Sequence, residues 1–108
     1  MQWETVCHID DILPYSGVAA LVEGRQIAVF RTDDAVYAIS NYDPFSQAYV
    51  LARGLVGDRK GVLKVASPIY KQSFSLQTGE CLDDPSIKLP TYPAQVVDHV
   101  IQIAIQKG

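Results

Sequence analysis

Cysteines, clustered basic residues and long apolar runs are all scarce in this chain, and each shortage narrows what it can be. Two cysteines among 108 residues, Cys7 and Cys81, are too few for a disulfide framework. Without export they are expected as reduced thiols, each a small hydrophobe inside an apolar strand-like segment. Uninterrupted apolar runs last only a few residues, far short of the roughly 20 that cross a bilayer, so no membrane span is expected. Arg59-Lys60 is the single adjacent basic pair and the net charge is −3, which gives nucleic acid no electrostatic footprint. Met1-Gln2-Trp3-Glu4 carries neither the basic nor the apolar region of a secretory signal, and a cytoplasmic location is the expectation. There is no Gly-x-Gly-x-x-Gly fingerprint for a dinucleotide and no set of four cysteines for an iron–sulfur cluster.

What remains is an ordinary globular composition, 48% hydrophobic and 19% charged. A chain of this length makes one domain, 1–108, and removes about 65% of its unfolded surface from water. Short β segments recur every eight to twelve residues with few helix signals between them, the rhythm of an all-β sandwich or barrel. Strands are expected over Trp3–His8, Val18–Val22, Gln26–Arg31 and Val36–Ser40, with Glu23-Gly24 as a tight hairpin turn. Ser46 to Leu51 reads as a short helix capped by Ser46. A hairpin is expected across Asp58–Gly61 into Val62–Ala66, then strands Phe74–Leu76 and Glu80–Leu82 around a Gln77-Thr78-Gly79 turn. Pro90 and Pro93 should break regular structure around them. A last hairpin joins Ala94–Val97 to Val100–Ile105 through Asp98-His99, and Ile101, Ile103 and Ile105 opposite Gln102 and Gln106 predict a half-buried strand.

Two loops carry the functional signal. After the strand Val36–Ser40 comes Asn41-Tyr42-Asp43-Pro44-Phe45, and after Val65-Ala66 comes Ser67-Pro68-Ile69-Tyr70, followed by Phe74, Leu76, Thr78 and Gly79. This frame resembles the two cluster-binding loops of Rieske iron–sulfur domains, Cys-x-His and Cys-Pro-x-His. The resemblance places Asn41, Asp43, Ser67 and Tyr70 at the four former ligand positions. A Rieske cluster needs two thiolates and two imidazoles, whereas amide, carboxylate, hydroxyl and phenol are hard oxygen donors suited to other ions. No metal or cofactor is therefore expected in this chain.

With Cys7-x-Ile9-Asp10-Asp11-Ile12-Leu13-Pro14, Leu51-x-Arg53-Gly54-Leu55 and Ala66-Ser67-Pro68, the chain resembles the small subunits of cytoplasmic NAD(P)H-dependent assimilatory nitrite reductases. The resemblance implies a Rieske-type antiparallel β-sandwich or barrel with a small cluster-binding-like subdomain at about residues 41–80. It also implies a non-catalytic accessory subunit in the reduction of nitrite to ammonium, with the large subunit as partner. NAD(P)H, FAD, a [4Fe–4S] cluster and sirohaem would then belong to that large subunit. The alternative is a cluster-free adaptor for another reductase or oxygenase.

Catalysis by the four substituted positions would need a tuned pair of titratable groups, or a base beside Ser67, and neither histidine belongs to the frame. The competing expectation is that these residues hydrogen-bond one another and hold the loops shut. His8 and Cys7, adjacent on a strand, should face opposite ways and not chelate together. His99 is expected in solvent at the terminal turn. Tyr42, Phe45, Tyr49 and Tyr70 have two readings. They form a protein-contact patch at the tip, carried above all by Tyr42, Phe45 and Tyr49, or they refill the vacated cluster space, with Tyr70 as the inward filler.

Overall fold

Alternating apolar and polar residues drive most of this chain into strands, and short turns such as Glu23-Gly24, Lys60-Gly61 and Asp98-His99 leave antiparallel pairing as the natural outcome. The computed structural model describes residues 2–33 and 35–105. Strands β1 (Gln2–His8), β12 (Val100–Ile105) and β11 (Ala94–Val97) form one sheet in that order. A four-stranded sheet follows the order β10 (Thr91–Tyr92), β4 (Val36–Ser40), β3 (Arg25–Arg31), β2 (Ser16–Val22). A third sheet joins β7 (Leu55–Arg59), β8 (Val62–Ala66) and β9 (Ser73–Ser75), and β5 (Tyr42–Asp43) pairs with β6 (Ala48–Tyr49) as a two-stranded ribbon. The all-β architecture expected from the strand rhythm is present.

The four-stranded sheet lies between two apolar clusters, and the period of two along a strand explains how. Ile27 and Val29 of β3 join Ala38, Ile101, Ile103 and Ile105 on one side. Ala28 and Phe30 point the other way, to Ile39, Leu51, Val65, Phe74, Leu76 and Leu89. The four residues Ile27 to Phe30 are fully buried, so β3 reads as a continuous apolar run. The second cluster is the floor under both loops.

Local turn chemistry sets the register. Glu23 and Gly24 both take left-handed backbones, φ 49° and 77°, as a two-residue hairpin turn between β2 and β3 requires. Asp98 and His99 do the same at φ 52° and 67°, closing β11 on β12 as anticipated. Ile101, Ile103 and Ile105 are buried, but Ala104 on the opposite face is buried too, so β12 is covered more fully than its alternation implied. Gln106 lies outside the described residues.

Three local expectations are corrected. No helix forms over 46–51: Gln47 has φ 57° and Ala48–Tyr49 pair with Tyr42–Asp43, because the Ser46 hydroxyl is drawn to Asp43 instead of capping. Glu80–Leu82 makes only the isolated bridges Phe74 to Cys81 and Glu80 to Lys88. Thr91–Tyr92 is a strand despite Pro90 and Pro93, which is tolerated because it lies at the edge of its sheet.

Candidate functional site

Where β4 ends, Asn41 goes under cover with only 2% of its surface exposed. Its backbone N–H donates to the Gln26 carbonyl at 3.0 Å, and its own carbonyl accepts from Leu51 N–H at 3.2 Å. The side-chain Oδ1 accepts from Ala52 N–H at 2.7 Å. An unpaired buried amide is costly, and this bond satisfies the start of the 3-10 turn Leu51–Arg53. Asn41 thus ties the first loop to that turn, and no hydrogen bond among the described residues joins it to Asp43, Ser67 or Tyr70.

Asp43 is fully buried and holds two loops at once. Its Oδ1 accepts from Phe45 N–H at 2.9 Å, and its carbonyl accepts from Gln47 N–H at 2.8 Å, closing the turn between β5 and β6. This is the local side-chain-to-backbone bonding that Asp favours after a strand and before Pro. Oδ2 accepts from the Ser46 hydroxyl at 2.8 Å and from the Ser67 hydroxyl at 2.5 Å. Ser67, also fully buried, comes from the second loop.

Ser67 organises that second loop in turn. Its N–H donates to Gln72 O at 2.9 Å and its carbonyl accepts from Lys71 N–H at 3.2 Å, with Lys71 at φ 68°. The Ile69 N–H donates to Ser67 Oγ at 3.3 Å. The loop therefore bends outward and Tyr70 is 60% exposed. The expectation that Tyr70 fills the interior is overturned. The space between the loops is occupied by Asp43 and Ser67, and a buried phenol there would need a hydrogen-bond partner of its own.

Burial works against the Asp43 charge, but hydrogen bonds from Ser67 and Ser46, with the backbone N–H groups of Phe45 and Ser46, outweigh it. The carboxyl is held below its ordinary range, so it is an anion at neutral pH and acts as an acceptor only. A carboxylate locked by such donors is a poor general base, and no second titratable group joins it among the hydrogen bonds described.

The aromatics divide between inside and outside. Tyr42 and Tyr49 face each other across the β5–β6 ribbon with ring centres 5.1 Å apart, and Tyr49 is 55% exposed. Phe45 turns toward the core, its ring 6.2 Å from that of Phe74. Ser46 and Ile69 were missed in the sequence reading. The signal for Ser46 was there, a hydroxyl three residues after Asp43 in a turn, but it was read as a helix cap instead.

Away from the loops, His8 and His99 stack with centres 5.9 Å apart. His8 Nδ1 accepts from Asp10 N–H at 3.2 Å, capping the 3-10 turn Ile9–Asp11. Among the described residues no group of three or more His, Cys, Asp or Glu is arranged to hold a metal ion. No helix of the described residues is long and apolar enough to cross a membrane.

The profile of the Rieske-like [2Fe-2S] domain matches residues 2–104. The chain belongs to that family. Within it, the nitrite reductase (NADH) small subunit of Salmonella typhimurium is 50% identical over 104 residues, covering 94% of this chain and 96% of that protein. A crystal structure from Mycobacterium tuberculosis, described as an NADH-dependent nitrite reductase small subunit, superposes with a TM-score of 0.95 at 48% identity. That match covers 99% of this chain and 97% of the other. The branch to which the chain belongs is therefore that of the nitrite reductase small subunits. A nitrite reductase NAD(P)H large subunit of Klebsiella oxytoca is 38% identical over 105 residues, which span 97% of this chain but 11% of that protein.

The family's cluster does not fit the residues present here. A [2Fe–2S] centre of this type takes thiolate sulfur and imidazole nitrogen, and the four positions offer neither. Asn41 Oδ1 is engaged by Ala52, both Asp43 oxygens are engaged, and Tyr70 points to solvent.

Proposed function

We propose that this chain is a non-catalytic accessory subunit of a cytoplasmic NAD(P)H-dependent nitrite reductase and docks on the large subunit. It carries no iron–sulfur cluster of its own. The observation that carries the reading is the Klebsiella relative, in which a region like this chain is part of the large subunit's own polypeptide. A domain joined covalently in one protein and free in another needs a binding surface when free. The redox groups of nitrite reduction then belong to the large subunit, and this chain holds that subunit in its working form.

The docking surface is the loop tip of the 41–80 subdomain, within one domain spanning 1–108. Tyr42 and Tyr49 supply the contact area, and Phe45 supports them from beneath through Phe74. Paired tyrosines, one largely exposed, suit an interface anchor because Tyr brings large area with few rotatable bonds.

Co-expression with the large subunit, followed by size-exclusion chromatography and nitrite turnover, tests this. Co-elution, with turnover or complex lifetime reduced when the chain is left out, is expected. Separate elution with undiminished turnover would discard the reading.

A further inference from the structure

We infer that the Asp43–Ser67 bridge positions two patches, exposed Tyr49 with half-buried Tyr42, and exposed Ile69 with Tyr70, into one composite surface for the large subunit. The inference rests on the docking reading above and adds to it the second patch and the pair that aligns the two.

The geometry is a relay with one direction. Ile69 N–H donates to Ser67 Oγ at 3.3 Å, and the Ser67 hydroxyl hydrogen goes to Asp43 Oδ2 at 2.5 Å. The Asp43 carboxylate accepts only, so it fixes the Ser67 hydroxyl in the orientation that leaves the oxygen lone pairs for Ile69. The other carboxylate oxygen pins Phe45 N–H and so the turn that carries Tyr42 and Tyr49. One buried anion therefore sets both loops.

The side chains at the two ends of this relay are those left open. Tyr49, Ile69 and Tyr70 are 55%, 46% and 60% exposed, whereas Asp43 and Ser67 are fully buried. Asp43 and Ser67 cannot touch a partner. They act by removing freedom from residues that can, which lowers the ordering cost of binding. The occupant is the large subunit, because a relative carries the equivalent domain within that polypeptide.

The test measures affinity of the purified large subunit for this chain, alongside amide exchange in the ¹⁵N-labelled chain. Ser67→Ala is expected to leave the spectrum beyond the two loops unchanged. It should speed exchange at Ile69 by tenfold or more and weaken binding about tenfold. Tyr70→Ala should weaken binding similarly with Ile69 exchange unaltered. In the double variant the losses should fall short of additive, since both act on one loop. If Ser67→Ala disturbs folding, Asp43→Asn, which keeps the shape and one carbonyl oxygen for Phe45, takes its place.

Faster Ile69 exchange with unchanged affinity would overturn the inference, as would full additivity of the two losses. Full-strength binding by Tyr70→Ala would remove the second patch. If the unaltered chain does not bind at all, the docking reading itself fails and takes the inference with it.

Discussion

The Ser67 hydroxyl lies 2.5 Å from Asp43 Oδ2, a buried bond between residues 24 apart in sequence. The two residues belong to the two loops, 41–45 and 67–70, that the sequence singles out. Here a charge-assisted hydrogen bond, among the stronger kinds in proteins, joins them.

Stability should reflect this bond. Ser67→Ala removes a hydrogen bond to a charged group, and urea denaturation should reveal a loss of about 1.5–3 kcal/mol. Asp43→Ala strands the Ser67 and Ser46 hydroxyls and the Phe45 N–H, and should cost roughly 2–4 kcal/mol. Losses below about 0.5 kcal/mol in both variants would mean the loops are held by something else.

Acid should weaken the fold through the same carboxyl. A folded pKa below the unfolded value of about 3.9 gives stability present above that value and lost as pH falls through the folded one. Asp83 adds to this: the Ser73 N–H bond lowers its pKa against some burial, with help from Arg59. Denaturation midpoints should therefore hold steady above about pH 5 and fall below about pH 4, and the fall should be shallower in Ser67→Ala. An identical acid profile in that variant would contradict the assignment.

Two glycines should respond differently to alanine. Gly24, φ 77°, faces open space, so Gly24→Ala should cost about 1 kcal/mol of backbone strain. At Gly79, φ 80°, a Cβ would run into the Leu89 carbonyl, so strain and collision add, and the cost should exceed about 3 kcal/mol. Thermal unfolding of both variants measures the contrast, and equal shifts would contradict it.

The thiols should be sluggish. Burial and then the nearby Asp11 charge raise the Cys7 pKa, and Cys81 is 2% exposed in the core. Since the thiolate is the reactive form, Ellman's reagent should label Cys7 slowly at neutral pH and Cys81 only on unfolding. Asp11→Asn should speed Cys7 labelling. Rapid labelling of both thiols in the native chain would refute this.

Much of the fold was legible because hairpins obey local rules: Glu23-Gly24 and Asp98-His99 announce their turns, and the isoleucines of β12 announce their face. Ser46 and Tyr70 were misread for different reasons. Ser46 bonds to Asp43 only three residues away, but its place also suits a helix cap, whereas the loop of Tyr70 is held by the Ser67–Asp43 bond between distant parts of the chain, which no window of sequence contains. The loop positions themselves were readable from the Rieske-like frame. Which loop residues would bond to which was not, and Asn41 turns to Ala52 rather than to Asp43, Ser67 or Tyr70.

Iron content and the visible spectrum of the anaerobically purified chain probe the core of the account most directly, namely that an oxygen-only hydrogen-bond bridge, and no cluster, joins the two loops. A colourless preparation without stoichiometric iron is the predicted result. Visible absorption bands accompanied by about two irons per chain, the content of a [2Fe–2S] centre, would contradict it.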